Sequence, residues 1–231
     1  MATTGICNSA KVEFLQGNHC FNGTQSSLAG AGVNGAYTLT GLASTAGVSV
    51  GMAASGTGVG AGAIVSRILS ASSVQLDTPN SGTVTSGTIG FTGDAFKMAL
   101  IKVSPSLTYS ATQTNYGSGS GTPTTSNIGT DEASGTGYTA GGIALTNVTP
   151  ALSSTTATTS FSPSPSLTSA TISVTAGIVY NTTTRGGAAA TPLNGRTVGV
   201  YDFGGTQSVS AGTITFQMPA NSAGTALIQL A

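Results

Sequence analysis

The sequence predicts an all-β protein, a β-sandwich or jelly-roll-like domain with one short N-terminal helix and an inserted small β module. Three observations predict it. Apolar residues recur at every second position in several segments, which is the period of a strand with one buried face. No stretch sustains the 3.6-residue period of a long amphipathic helix. Glycine, serine and threonine interrupt the chain at short intervals, with 34 glycines among 231 residues, as expected of short strands joined by turns.

At the N-terminus, Asn8 and Ser9 can cap a helix over residues 10–16, and Gly17 is its stop. Val12 and Leu15 form the expected apolar stripe, with Phe14 beside it. Two turns are not stable alone, so the helix is expected to dock on the body of the fold or on a neighbouring subunit. Residues 23–90 change character, carrying only Arg67 and Asp77 as charges. Short strands are expected there at 37–39, 48–50, 63–65 and 74–76. This composition shift sets the expected domains: 1–22 plus 91–231 as the main β-sandwich, and 23–90 as the insert.

The alternation strengthens beyond Phe91. Phe96, Met98 and Leu100 point to one face, but Lys102 falls in the same phase, so the strand must bulge or end near Ile101. Ile172, Val174, Ala176, Ile178 and Tyr180 hold period two for five steps. Their face is expected to pack on the one carrying Ile214 and Phe216. Val198 and Val200 oppose Tyr201 and Phe203, which suggests a strand covered on both sides. A last strand is expected over 227–230. Residues 108–129 and 182–194 read as long loops, the second containing Gly186, Gly187 and Pro192.

Composition narrows the function. Six Lys or Arg and six Asp or Glu make 5% charged residues, against about a quarter in an ordinary domain. A free monomer uses charge to stay dissolved and apart from its copies. A chain without it is expected to hide surface in an assembly. Disorder is the competing explanation, but a mean hydropathy of +0.23 and the clean alternation argue for folding. Zero net charge with scattered basic residues leaves no nucleic-acid footprint. No apolar run approaches the length of a membrane helix. The first residues lack the basic start and apolar core of a signal peptide, which predicts synthesis in a cytoplasm. In that setting Cys7 and Cys20 read as small buried apolar groups rather than a disulfide or metal ligands.

No motif for chemistry survives its context. Gly47-Val48-Ser49-Val50-Gly51 matches a nucleophile-elbow pattern, but the following helix and His are missing. Residues 30–35 match a dinucleotide fingerprint that chance supplies in so glycine-rich a chain. Asp131 and Glu132 could contribute to a Ca²⁺ site, though adjacent carboxylates in such a loop are more often solvated. Asp94 and Asp202 fall at expected strand ends, where a carboxylate accepts turn N–H bonds. His19 reads as a structural hydrogen-bonding group. The sequons at Asn22, Asn147 and Asn181 arise by chance in a threonine-rich chain. No catalytic, cofactor-binding or metal-binding residue is therefore expected.

Several segments together resemble a family of small tailed-bacteriophage structural proteins. They include Cys7-Asn8-Ser9, Gly93-Asp94-Ala95-Phe96-Lys97-Met98-Ala99-Leu100 and, most distinctively, Ser134-Gly135-Thr136-Gly137-Tyr138-Thr139-Ala140-Gly141-Gly142. Ile178-Val179-Tyr180-Asn181, Gly195-Arg196, Asp202-Phe203-Gly204 and Ala226-Leu227-Ile228-Gln229-Leu230-Ala231 continue it. The resemblance covers residues 1–22 and about 91–231. The 23–90 module is a departure from it, similar to small β modules inserted into phage surface proteins. Members are labelled variously as capsid-associated or tail fibre, so the resemblance implies a place in the virion and no catalytic residues. The expected role is a capsid decoration (cement) protein that clamps the head from outside. Its expected partners are the major capsid protein and its own copies, as a homotrimer. A tail or fibre component contacting the host is the alternative. The helix and residues 1–7 are candidate anchors.

Overall fold

A computed structural model describes residues 2–117, 128–183 and 195–230. The chain opens with β1 (Gly5–Ile6) and α1 (Asn8–Leu15), then β2 (Gln25–Leu28), β3 (Thr38–Leu39), β4 (Ala53–Ser55), β5 (Val65–Ser70), β6 (Ser73–Leu76) and β7 (Ile89–Thr92). Next come β8 (Phe96–Lys102), a 3₁₀ turn (Gly129–Asp131), β9 (Ile143–Leu145), β10 (Ala151–Ser153) and β11 (Thr156–Thr159). The long pair β12 (Ser166–Asn181) and β13 (Thr197–Thr215) precedes β14 (Ile228–Leu230). The fold is all-β and sandwich-like, as the alternation predicts. The middle parts of both expected long loops, with Arg185, Gly186, Gly187 and Pro192, lie outside the described residues.

The main sheet runs β1-β13-β12-β8-β9, all neighbours antiparallel. It is covered on both faces around β8, the end of β12 and the start of β13, while the other halves of β12 and β13 leave one face open. Phe96, Met98 and Leu100 of β8 join one cluster with Phe21, Phe161 and Ile228, the last from the small sheet β10-β11-β14. The intervening Ala99 and Ile101 join another with Cys7, Ala10, Tyr109 and Ile128. This explains why β8 reads as almost continuously apolar at its end.

The irregularity expected near Ile101 is present, but in the partner strand. Val174 pairs with Lys102 and Ala176 with Ile101, leaving Thr175 as the extra residue. Its hydroxyl donates to the Lys102 carbonyl at 3.0 Å. An extra residue reverses which face each later side chain meets. Ile172 and Val174 therefore lie in the cluster with Ile214 and Phe216, whereas Ala176 and Ile178 lie on the opposite face. Four residues expected on one face are all buried, but two on each side. A second shift, between Val179 and Tyr180, likewise parts Val198 from Val200.

In the inserted region, β2-β7-β4 and β3-β6-β5 form two three-stranded sheets that share one core. Leu39, Met52, Val65, Val74, Leu76 and Ile89 fill it. Phe91 and Cys20 belong to the same cluster, so its packing extends past both ends of 23–90. The strand expected at 48–50 is a turn; β4 follows at Ala53–Ser55. Val48 is buried in the insert's core while Val50 is 58% exposed, and the flanking glycines, Gly47 and Gly51 both at positive φ, turn the chain there.

The helix starts at Asn8, with Cys7 at the cap position and no side-chain cap. Its expected stripe is reversed: Val12 and Leu15 face solvent, while Ala10 and Glu13 are buried. Residues 2–7, part of the candidate anchor 1–7, are woven into the fold. Thr3 N–H donates to the Tyr109 carbonyl at 2.8 Å, and Gly5 and Ile6 pair with Val200 and Gly199.

Candidate functional site

Six of the twelve charged side chains, Glu13, Asp94 and Arg196 and then Lys102, Asp131 and Glu132, come together in two clusters. The first lies where α1, the start of β8, the end of β12 and the start of β13 meet. Glu13, turned inward by α1, takes the Arg196 guanidinium on Oε1, with Nε at 2.6 Å and a second contact from Nη2. Its Oε2 faces His19 Nε2 at 2.7 Å. On the other side of the imidazole, Nδ1 meets Asn181 Nδ2 at 3.0 Å, and that same nitrogen reaches Asp94 Oδ2 at 2.9 Å. Asp94 Oδ2 also accepts the Cys20 N–H at 2.9 Å.

This geometry assigns the imidazole tautomer. Asn181 Oδ1 accepts the Thr183 N–H at 2.8 Å, so its Nδ2 must face Asp94 and His19 as donor. Nδ1 of His19 is then the acceptor, and Nε2 carries the proton given to Glu13. Both ring nitrogens are engaged, and the side chain is fully buried. An imidazole so committed has no nitrogen to offer a substrate. Burial alone would raise the Glu13 carboxyl; the hydrogen bonds and charges of His19 and Arg196 outweigh it and hold it below the usual carboxylate range.

Asp131 and Glu132 anchor the second cluster, and neither is the solvated loop acid that was expected. Asp131 is 1% exposed. It accepts the Ser106 and Leu107 N–H groups, each at 2.8 Å, and the Tyr109 hydroxyl at 2.9 Å, with Lys102 Nζ at 3.1 Å. Burial opposes its ionisation, but these donors prevail and hold its carboxyl far below the ordinary range. Glu132 accepts the hydroxyls of Tyr116 at 2.8 Å and Tyr138 at 2.6 Å, and the Gly141 N–H at 2.7 Å. Burial first, and then Glu132, push both phenols upward; Tyr180, stacked on Tyr116, is raised to about 12 by the same causes.

The 134–142 segment owes its glycines to this region. A Cβ at Gly135 would lie 2.3 Å from the Thr171 carbonyl oxygen. At Gly142, with φ of +86°, it would lie 2.6 Å from that of Met98. Only glycine lets this loop lie so close on β12 and β8, placing Tyr138 and the Gly141 N–H on Glu132.

The remaining motifs stay apart from both clusters. Ser49 of the elbow-like pentapeptide has the Cys20 thiol at 3.6 Å, and a turn rather than a helix follows it. Both cysteines are buried; burial chiefly pushes the Cys7 thiol up to about 11. Asn181 is fully buried, which leaves no room for a glycan. Asp202 accepts the Gly204 N–H at 3.0 Å. Among the described residues, no three His, Cys, Asp or Glu gather to hold a metal, and no helix is long and apolar enough to cross a membrane.

Sequence reading missed the Glu13–Arg196 and His19–Asn181 ties because their partners lie 183 and 162 residues apart. The one local signal was a glutamate on a short helix whose apolar residues make a poor stripe. No protein-family model, curated protein or solved structure matches the chain.

Proposed function

We propose that the chain is a structural protein of a tailed-phage virion. In this reading it is a capsid decoration (cement) protein that binds the outside of the head and stabilises the shell without catalysing a reaction. One observation carries the reading. All six acidic side chains, Glu13, Asp77, Asp94, Asp131, Glu132 and Asp202, accept hydrogen bonds from within the fold. The acids act mostly as internal ties, and with Lys11, Arg67 and Asp202 the only exposed charged side chains among the described residues, the surface there is chiefly hydroxyls, backbone and apolar groups. Such a surface suits a protein held on a repeating lattice, where many weak neutral contacts add. It offers little to nucleic acid or to a charged membrane. A shallow groove of about 630 Å³ on the β12–β13 ribbon fits the same picture. It is lined by Ser134, Thr171, Ser173, Ser208 and Ser210 with Val103, Ile172 and Val209, and holds no titratable group.

The partners in this reading are the major capsid protein and further copies of the chain, as a homotrimer. The residues resembling phage structural proteins support the virion assignment, including the 134–142 run that wraps β12. A tail or fibre role is the second reading. It is favoured by the separate core of the inserted sheets and the exposure of Val33 and Tyr37 on them, which would suit a receptor-contacting head.

A deletion phage tests both. Loss of the protein should release DNA at lower temperature or under milder osmotic shock while adsorption stays normal, because a ligand of the assembled shell stabilises it by mass action. Normal heat resistance with lost adsorption would replace the cement reading with the fibre one.

A further inference from the structure

Two apolar features of the surface meet at α1. Val12 and Leu15 are 55% and 83% exposed and, three residues apart, form a ridge on one side of the helix. Between them in sequence, Phe14 forms a wall of a groove of about 150 Å³. The opposite wall is a face of the β10-β11-β14 sheet. Leu152, Ala157 and Leu230 are cross-strand partners and so share that face. Leu152 is 73% and Leu230 57% exposed, while Ile228 is buried at the groove's base. Scattered exposed leucines are ordinary; an aligned row beside a groove marks an interaction surface.

The chemistry selects the occupant. His19 reaches the groove but is bonded inward on both nitrogens, and Lys11, the one exposed charge of α1, donates to Asn8. A charged partner therefore finds no complement in the lining. An apolar cavity of this size holds a benzene-sized group, so a four-carbon leucine side chain fits. The chain itself presents that group next to the groove. We propose that the Val12–Leu15 ridge of one copy seats in the groove between Phe14 and the β10-β11-β14 sheet of another. Each copy gives one ridge and receives one, a head-to-tail contact that makes a ring where the rotation between copies closes.

The proposal deepens the self-association in the reading above but needs no virion, so a failed particle assay leaves it standing. The test uses the purified full chain at micromolar concentration, with mass read by light scattering after size exclusion. Leu15→Arg removes the ridge and Ala157→Arg fills the groove; both sites are exposed, and circular dichroism checks that folding is intact. Leu15→Ser reads the ridge independently if arginine disturbs the helix. Wild-type protein should be a multimer, a trimer in the reading above, and each variant a monomer of 22.3 kDa. An equimolar mixture of the two variants should recover a two-chain species. The ridge of the Ala157→Arg copy can still enter the intact groove of the Leu15→Arg copy, and growth stops there. A monomeric wild type, variants as oligomeric as wild type, or a mixture that stays monomeric would each overturn the proposal. Variants that remain oligomeric yet no longer bind particles would assign the groove to the shell protein and overturn it too.

Discussion

Glu13→Ala is expected to be among the most damaging single changes in the main domain, although it removes only one small carboxylate. Its side chain is 8% exposed and faces Arg196, 11% exposed, and the fully buried His19. Removing the acid leaves a guanidinium without its counterion and an imidazole N–H without an acceptor. Breaking a buried pair from one side costs about 3–5 kcal/mol. At about 2–4 °C per kcal/mol for a chain of this size, the thermal midpoint should fall by roughly 6–20 °C. Urea unfolding at neutral pH would read the same loss, with Val12→Ala, on the solvent side of the helix, as the control. A double variant sharpens the test. Glu13→Leu with Arg196→Met removes both charges, and apolar replacement of a whole buried pair is often neutral or stabilising. It should therefore lie well above the sum of the single variants. The pH dependence has a definite sign. The Glu13 carboxyl is held lower in the fold than in the unfolded chain, so its contribution is present above the unfolded value and fades as pH falls through the folded one. Wild type should lose more stability on acidification below about pH 4 than Glu13→Gln does. A Glu13→Ala variant within about 1 kcal/mol of wild type, or singles that add without coupling, would refute the reasoning.

Ile172→Ala and Ile178→Ala should each cost about 2–5 kcal/mol as fully packed core truncations. Because the Thr175 bulge sends them to opposite faces, the double variant should be additive, as urea titration would show; strong coupling would put them on one face after all. Cys7, buried and with its thiol raised to about 11, should resist alkylation at pH 8 in folded protein and react once urea unfolds it, as mass spectrometry would show. Joining Asn22 to Phe91 through a short Gly-Ser linker should leave a cooperatively unfolding β protein. It should be firmer when Phe91, which packs into the excised core, is also changed to Ser. Loss of the unfolding transition in both forms would mean that the insert supports the main sheet.

The elements that could be read from the sequence are those where one local period decides the outcome. β8 and β14 sit where their alternation places them, because a strand's buried face is written in its own residues. The same logic failed at residues 172–178. A run of five alternating apolar residues through Tyr180 reads as one face, because the extra residue Thr175 continues the polar alternation of Thr171 and Ser173 and so hides the reversal. The helix failed in the opposite sense. Val12 and Leu15 look like its core stripe only while Glu13 is assumed to be solvated.

That assumption is where the clusters were lost. A carboxylate goes inward only if a partner compensates its desolvation, and although His19 lies six residues along the chain, the Arg196 charge reaches Glu13 only through tertiary structure. Once it does, the helix must rotate its charged side toward the sheet, and the two apolar residues left over have to face out. The buried charge and the exposed ridge are therefore one event seen from two sides. This links stability to association in a testable way. In Glu13→Leu with Arg196→Met the introduced leucine keeps the inward position of the helix, so Val12 and Leu15 stay outside. If the ridge is what joins copies, that variant should stay folded and self-associate like wild type, whereas Glu13→Ala, which loosens the seat of the helix, should weaken both. Light scattering beside urea unfolding of the same sample would read both, and a double variant that is folded yet monomeric would break the link.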